Sequence, residues 1–489
     1  MPAELETAAN RENLKRVVIE PLSRVEGHGK VTILLDEDGH VHEVRLHIVE
    51  FRGFEKFIQG RPYWEVPVLV QRLCGICPVS HHLAASKALD CIVGAAQLTP
   101  TAEKLRRLMH LGQILQSHAL HFFHLAAPDL LFGFDAEAGR RNIAGLAAAD
   151  PEVARKGVLL RRFGQEIIRL TAGKRVHGTG SVPGGVNRNL SREERSMLLG
   201  NIDEVIGWSA EAVAMVKRLF ADNTRLYEGF GHYRSNFLSL VREDGALDFY
   251  DGGLRASDAG GAIVFDHADG QRYYERIHEE VKPWSYMKFP FLAALGAQQG
   301  WYRVGPLARV GRCDFLTTPL AEAERVAFKS FDGGAALHAP LAYHWCRMIE
   351  MLHAAEGIRS LLLDNDLSGA ELVVRGQRAL RGVGVIEAPR GTLIHHYRIN
   401  EDDQIVSANL IVSTTHNNQA MNEAVRRVAM QYLDGRSLTE GLLNHIEVAI
   451  RAFDPCLSCA THALGKMPLA IELVDADGGL IDRLARDGE

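Results

Sequence analysis

The stretch RLCGICPVSHHLAASKALDCIVGAAQLTP, residues 72–100, marks a change in the periodicity of the chain. Before it, apolar and polar residues alternate in KVTILLD (30–36) and VHEVRLHIVEF (41–51), with a glycine-containing turn from Asp36 to His40, and this pair predicts an antiparallel hairpin. From Pro78 onward, Val79, Leu83, Leu89, Ile92, Val93 and Ala96 recur at helical spacing until Thr99-Pro100 stops them. Proline suits the first turn because the N–H it lacks has no partner there. A second helix is predicted from about Thr101 to Ala126, ended by Pro128, with His118, His121 and His124 close to one face. These histidines read as core side chains with satisfied hydrogen bonds.

Further helices follow between 190 and 360, such as Ser191 to Phe220, interrupted by SDAGGAIVFDHADGQRYYER (257–276), which reads as strands and turns. GVGVIEAPRG (382–391), TLIHHYRIN (392–400) and QIVSANLIVSTT (404–415) have strand composition, with a turn at Asp402-Asp403. Ser437 with Glu440 predicts a capping box that opens a helix presenting Leu442, Ile446, Ala449 and Phe453 on one face, and Asp454-Pro455 closes it. The fold class is α+β, with long central helices and small peripheral antiparallel sheets. Four segments are expected: 1–75, antiparallel and holding the first ligand motif; 76–375, mainly helical with a β-rich insertion; 376–462, α+β with the second ligand motif; and 463–489, a C-terminal extension.

At 489 residues the chain is long enough for a large buried core. Its 55 Lys plus Arg and 61 Asp plus Glu are interspersed, which argues against a nucleic-acid or membrane-surface partner. No apolar run approaches the roughly 18 residues of a membrane span, and the charged N-terminus has neither an apolar targeting core nor a twin arginine, so a cytoplasmic location is expected. Seven cysteines are too few for a disulfide framework. Four of them form two Cys-X-X-Cys pairs, Cys74/Cys77 and Cys456/Cys459, and each pair can chelate one ion from a single turn. Four thiolates suit zinc, iron or nickel, and spacing alone leaves structural zinc, redox dithiols and a catalytic metal open.

The residues around the pairs narrow this. Arg72-X-Cys74-Gly-X-Cys77-X-X-X-His81 near the start and Asp454-Pro-Cys456-X-X-Cys459-X-X-His462 near the end resemble the large, catalytic subunit of nickel-iron hydrogenases. Arg24-Val-Glu26-Gly-His28, Phe51-Arg-Gly-Phe-Glu55, the histidine-rich helix and Glu387-Ala-Pro389-Arg390-Gly391 extend the resemblance over essentially the whole chain. The wording is similar to the cytoplasmic multisubunit branches, either NAD-reducing or deazaflavin-independent.

The resemblance implies reversible heterolytic cleavage of dihydrogen. It makes Cys74 and Cys456 terminal ligands of nickel, and Cys77 and Cys459 bridges to an iron that also carries one carbonyl and two cyanides. Cys456 is implied to accept a proton and Glu26 to carry it away, while Arg390 and Asp454 form the outer shell over the metals. Pro389, Ser413 and Thr414 are implied to line the cyanide pocket. Glu55, His462 and the carbonyl of Leu410 are implied to hold a magnesium or iron ion near the C-terminus. Ser413, His416 and Ser117 depart from the membrane-bound uptake branch, which has a proline, a tryptophan and often a carboxylate at these places.

Cys91, Cys313 and Cys346 are isolated and cannot hold an iron-sulfur cluster, and the glycine-dense loop at 178–185 breaks the dinucleotide fingerprint. This chain thus has no evident electron exit, and the resemblance implies that clusters and any nicotinamide site belong to partner subunits: an iron-sulfur small subunit, with diaphorase or heterodisulfide-reductase-like subunits beyond it. The electron acceptor is expected to be NAD(P), with a heterodisulfide-reductase-like or ferredoxin acceptor as the alternative. A dihydrogen sensor, a quinone subunit of the respiratory lineage and a structural zinc protein are the rival classes. The family also implies nickel chaperones and a maturation protease cutting between His462 and Ala463.

Overall fold

The computed structural model describes residues 15–36, 38–433, 439–461, 469–474 and 480–486. Strands Lys15–Ile19, Gly29–Leu35 and Val41–Ile48 form a three-stranded antiparallel sheet. The expected hairpin is its second and third strands, in register from Gly29 opposite Ile48. Val31, Ile33 and Leu46 are fully buried, so one face of this sheet is committed to the core.

The helix expected from Pro78 runs Pro78–Ile92 with proline in its first turn. It ends before the Thr99-Pro100 pair because Gly94 takes a left-handed backbone (φ 72°) pressed against Gly376 and Gln377, where a Cβ would lie 2.3 Å from the Gln377 carbonyl oxygen. Thr99 instead caps the next helix, Pro100–Ala119, by accepting from the Ala102 amide. That helix does not end at Pro128. It continues through a π-helical turn, Leu120–Ala126, into the helix Ala127–Phe132, whose first turn takes the proline. The π turn widens the spacing and spreads the three histidines over different neighbours.

Pro100–Ala119 packs against Pro151–Ala172 and against Ala342–Leu363, and the latter packs on Arg192–Asp222. The last of these opens with the Ser191–Glu194 capping box. Arg192–Asp222 is amphipathic, but Ala342–Leu363 is buried nearly all round, as a central helix must be. A four-stranded sheet ordered Tyr302–Arg303, Asn236–Val241, Gly253–Ser257, Ile263–Ala268 forms the insertion. Arg381–Ala388, Gly391–Ile399 and Ile405–Ile411 make the third sizeable sheet, an antiparallel meander with Asp403 in the predicted turn at φ 64°. The helix Glu440–Phe453 is capped by Thr439, whose side chain accepts from the Leu442 amide; Ser437, expected to cap it, lies outside the described residues. It ends at Asp454, which is left-handed (φ 55°). Leu469–Val474 and Leu480–Arg486 pair as an antiparallel hairpin. One hydrophobic cluster runs through nearly all of these elements, with a smaller one between the insertion sheet and the C-terminal meander.

Two features tie the Cys-X-X-Cys turn into this body. Arg106, fully buried, chelates Asp90 (2.6 and 3.0 Å) and donates to the Tyr250 hydroxyl and the carbonyls of Val182 and Gly185, locking the end of the Pro78–Ile92 helix to the Pro100–Ala119 helix. On the other side, the strand Arg381–Ala388 lies directly on Pro78–Ile92 because two of its residues are glycine. A Cβ on Gly382 would sit 1.9 Å from the Ala88 carbonyl oxygen, and one on Gly384 would sit 2.1 Å from that of Ala84. Gly384→Ala is therefore expected to push sheet and helix apart and to destabilise the protein by roughly 1–3 kcal/mol, read as a lower melting temperature in calorimetry.

Candidate metal centre

Cys74 and Cys77 stand immediately before the Pro78–Ile92 helix, and Cys456 and Cys459 in the turn that follows Glu440–Phe453. The fold brings all four sulfurs within 4.8 Å of one another, and all four side chains are buried. Cys456 Sγ lies 3.1 Å from Cys74 Sγ and 2.9 Å from Cys459 Sγ, and every cysteine is free. Hydrogen bonds from the other three thiols hold Cys77 well below the ordinary thiol range, whereas burial pushes Cys456 and Cys459 well above it. Only some of the four can ionise in a dry site without a cation. A soft metal held by thiolates removes that conflict.

The turn carrying the first pair is held from three directions. The side-chain amides of Gln113 and Gln116 both donate to the Ile76 carbonyl (2.9 and 2.7 Å). The His177 Nε2 contacts the Cys74 carbonyl at 3.0 Å, and the Ile76 and Cys77 amides point at Cys74 Sγ (3.2 and 3.3 Å). Sequence reasoning missed Gln113 and Gln116. Their i, i+3 spacing, which sets two side-chain amides next to each other on the helix, was the available signal. The second pair is fixed by Thr414, whose hydroxyl accepts from the Cys456 amide at 2.9 Å.

Glu26 reaches the centre from the opposite end of the chain. It forms a parallel bridge with Cys456, and its carbonyl accepts from the Leu457 amide at 3.0 Å. Its carboxylate accepts from the Ser458 hydroxyl and from the Ser458 amide (3.2 Å), between the two ligand cysteines. Gly27 has φ 85° and must be glycine, since a Cβ there would lie 2.6 Å from the Ser458 nitrogen. Glu26 is half-buried.

Over the sulfurs, Arg390 donates from Nε to the Asp454 carbonyl (2.6 Å) and from Nη2 to Asp454 Oδ1 (3.0 Å). Both side chains are 3% exposed. Burial pushes the Asp454 carboxyl up to about 6, against the pull of Arg390 and Arg347. Arg390 Nη1 and Asp454 Oδ2 are buried without partners. A cavity of about 10 Å³, at the limit for one water, lies between Cys77, Cys456, Pro389, Arg390, Ser413 and Thr414. Ser413 Oγ donates to the Gly391 carbonyl at 2.7 Å. His416 bonds Tyr302 through Nδ1 (2.6 Å), and the buried Ser117 hydroxyl has no partner.

The three helix histidines do not converge. His118 meets Glu350 (3.0 Å) and His121 the Arg451 carbonyl (2.7 Å), while His124 is half-buried. Each of the three leaves a buried Nδ1 without a partner, so the expected satisfaction is incomplete.

Glu55 occupies a separate buried polar pocket. Its Oε1 accepts from the Leu410 amide (2.8 Å) and from Lys288 Nζ (3.3 Å), and Lys288 also reaches Glu279 at 3.5 Å. Burial raises the Glu55 carboxyl and Lys288 offsets part of the rise. Glu279 Oε1 is buried and unpartnered, an acceptor that a hydrated dication would satisfy. His462 lies outside the described residues, but Thr461, just before it, is fully buried, and its carbonyl accepts from the Arg52 and Gly53 amides beside Glu55 (3.4 and 3.3 Å). Among the described residues the four cysteines are the one group of three or more such ligands close enough to share an ion. No helix among them is long and apolar enough to cross a membrane.

Comparison with known proteins agrees with this geometry. The nickel-dependent hydrogenase family matches residues 52–138 and 238–462, and a family described as HoxL-like matches 16–51. The chain is 47% identical to the beta subunit of the NAD-reducing hydrogenase HoxS of Cupriavidus necator, over 96% of this chain and 100% of that one. It is 40% identical to a chain of the F420-non-reducing hydrogenase of Methanothermobacter thermautotrophicus, over 96% and 100%. A solved NAD+-reducing nickel-iron hydrogenase in the H2-reduced state shares 63% identity and superposes with a TM-score of 0.91, over 92% of this chain and 99% of that one. The nickel-iron-selenium hydrogenase of Desulfovibrio vulgaris Hildenborough, at 24% identity, shares the fold with a TM-score of 0.74 over 92% and 100%. With four buried thiols meeting where both ligand motifs converge, the chain belongs to the nickel-dependent hydrogenase family.

Proposed function

We propose that this chain activates dihydrogen at a nickel-iron pair and delivers the electrons, through an iron-sulfur small subunit, to NAD(P). The observation that carries the acceptor is the likeness to NAD-reducing enzymes, 63% to a solved structure and 47% to a curated relative. The 40% likeness to F420-non-reducing enzymes favours the second reading, in which the same centre serves a heterodisulfide-reductase-like acceptor. Diaphorase-type subunits, nickel chaperones and a cytoplasmic location belong to the first reading.

The residues fit the metal pair. Cys74 and Cys456 would be nickel's own ligands, and Cys77 and Cys459 would be shared with the iron. Pro389, Arg390, Ser413 and Thr414 line the small cavity beside the sulfurs, where Arg390 Nη1, a buried donor lacking an acceptor, could donate to a cyanide nitrogen of the bound pair. When bound, the pair supplies the Lewis-acid and redox chemistry that polarises dihydrogen and splits it heterolytically. The Cys456 sulfur accepts the proton. Glu26 lies one residue-to-residue bridge from Cys456 and moves the proton outward along the Ser458 edge. Arg390, held by Asp454, puts a fixed positive charge beside the reacting sulfurs, where low dielectric makes it effective. Glu55, the Leu410 carbonyl and His462 would hold magnesium or iron, with Glu279 as an acceptor for its waters and Lys288 holding both carboxylates in place.

The family match stops at residue 462, and Thr461 is already inside the protein. Ala463 to Glu489 is accordingly a precursor extension cut after His462 once nickel is loaded. Mass spectrometry of active enzyme is expected to find the chain ending at His462; a fully active, nickel-loaded protein still carrying Glu489 would refute the cut.

Two substitutions test the centre. Cys459→Ser is expected to abolish dihydrogen activity and to leave the purified protein with a small fraction of the wild-type nickel and iron by elemental analysis; normal activity there removes the ligand assignment. Glu26→Gln keeps shape and hydrogen bonding but cannot carry a proton, and is expected to slow hydrogen–deuterium exchange by about 10²–10⁴-fold with nickel content unchanged. Unchanged exchange means that protons leave by another route. For the acceptor, dihydrogen-dependent NAD+ reduction by the purified complex, with its subunits identified, separates the two readings.

A further inference from the structure

Several buried arginines of this protein are neutralised by carboxylates: Arg106 by Asp90, Arg309 by Glu350 and Glu387, Arg390 by Asp454, and Arg451 by Asp129. One cluster is built otherwise. Arg303, fully buried, gives its donors to the Ser235 hydroxyl (2.6 Å) and to the carbonyls of Tyr233 (3.1 Å) and His338 (3.2 Å), while its guanidinium lies over the Tyr233 and Phe237 rings at 4.6 and 4.9 Å. Arg312 lies over Phe237 at 4.7 Å, and its buried Nε has no partner. Arg234 bonds the Ala259 carbonyl through Nε and Nη2 (3.2 and 2.9 Å). The His232 and His338 rings stand together with centroids 6.2 Å apart.

Of the nearby carboxylates, Asp258 faces Arg312 and attracts it, and the others are engaged elsewhere. Asp258 accepts from the Gly260 and Ala262 amides of its own turn (2.8 and 2.9 Å). Asp266 and Asp314 bind Arg255, and Glu423 binds Arg426 and Arg427. Burial and the Arg303 and Arg234 guanidiniums hold Arg312 below its ordinary value against the pull of Asp258, and burial with the same guanidiniums holds His338 down to about 3, so that three arginines here face one carboxylate. Among the described residues, neither the terminal nitrogens of Arg312 nor Arg234 Nη1 have a hydrogen-bond partner.

We propose that Arg234, Arg303 and Arg312, beside the Asp258–Ala262 turn, form a binding site for a small oxyanion, a phosphate or carboxylate group, outside the metal centre. Arg312 and Arg234 donate to it from their open nitrogens, and Arg303 contributes field from behind. The group comes either from a free phosphate-type ion or from a carboxylate of an adjoining subunit.

Isothermal titration of the purified complex with inorganic phosphate at low ionic strength tests this. A free-ion site gives saturable binding that weakens roughly tenfold in Arg312→Gln and recovers in Arg312→Lys. A carboxylate from a neighbouring subunit in the site gives no phosphate heat, but Arg312→Gln then raises the concentration at which the complex dissociates in ultracentrifugation by roughly tenfold. If Arg312→Gln does not fold, the exposed Arg234→Gln is read in the same way. Folded variants with unchanged phosphate binding and unchanged dissociation overturn the proposal.

Discussion

Four thiols from two turns, Cys74 and Cys456 being 382 residues apart in sequence, must meet where water does not reach. That requirement shapes the rest of the molecule. Buried thiolates repel one another, and a cluster this tight persists only with cations among the sulfurs or protons on them, so each backbone around it must be restrained by other means. The restraints are visible on every side: two glutamine amides on the Ile76 carbonyl, Thr414 on the Cys456 amide, and a bridge from Glu26 that crosses the second turn. The first turn sits at a helix start and the second at a helix end. Both are positions where the chain can change direction and still be anchored by a rigid element.

The same logic governs the buried polar groups behind the centre. Arg309 directs its donors to Glu350, Glu387 and the carbonyls of Ala388 and Pro389, which fixes the segment leading into Arg390. A guanidinium in a dry interior is costly unless each N–H finds an acceptor, and here that satisfaction also aims the next arginine at the sulfurs. Where partners are missing, at Arg390 Nη1 and on its ion-pair partner at Asp454 Oδ2, Arg390 lines the small cavity beside the ligand cysteines. Orphaned polar atoms gathered at one place mark where the protein meets something other than itself.

The glycine contacts show how local freedom serves this centre. Gly382 and Gly384 let a strand lie on the cysteine-bearing helix, and Gly27 lets the Glu26 segment lie on Ser458. In each case the neighbour is backbone, which cannot rotate out of the way as a side chain can, so the approach depends on the absent Cβ.

Periodicity and turn chemistry by themselves determined the hairpin at 29–48, the helix starting at Pro78, the 192–222 helix, the C-terminal meander and the two ligand motifs, because each of these is specified by residues within a turn or two of one another. Tertiary structure alone decided the rest. The Pro100 helix runs past Pro128 through a π turn, with His118 on Glu350 and His121 on the Arg451 carbonyl of separate elements, and no i, i+3 count contains those partners. The helix before it stops at Gly94 because Gly376 and Gln377 press against it from a distant segment. Gln113, Gln116 and Glu279 acquire their places only when remote backbone and charge arrive beside them. Spacing in sequence identified the sulfur donors, but their convergence is a property of packing: the free energy that holds four thiols within 4.8 Å comes from the burial of the large hydrophobic core in which they sit.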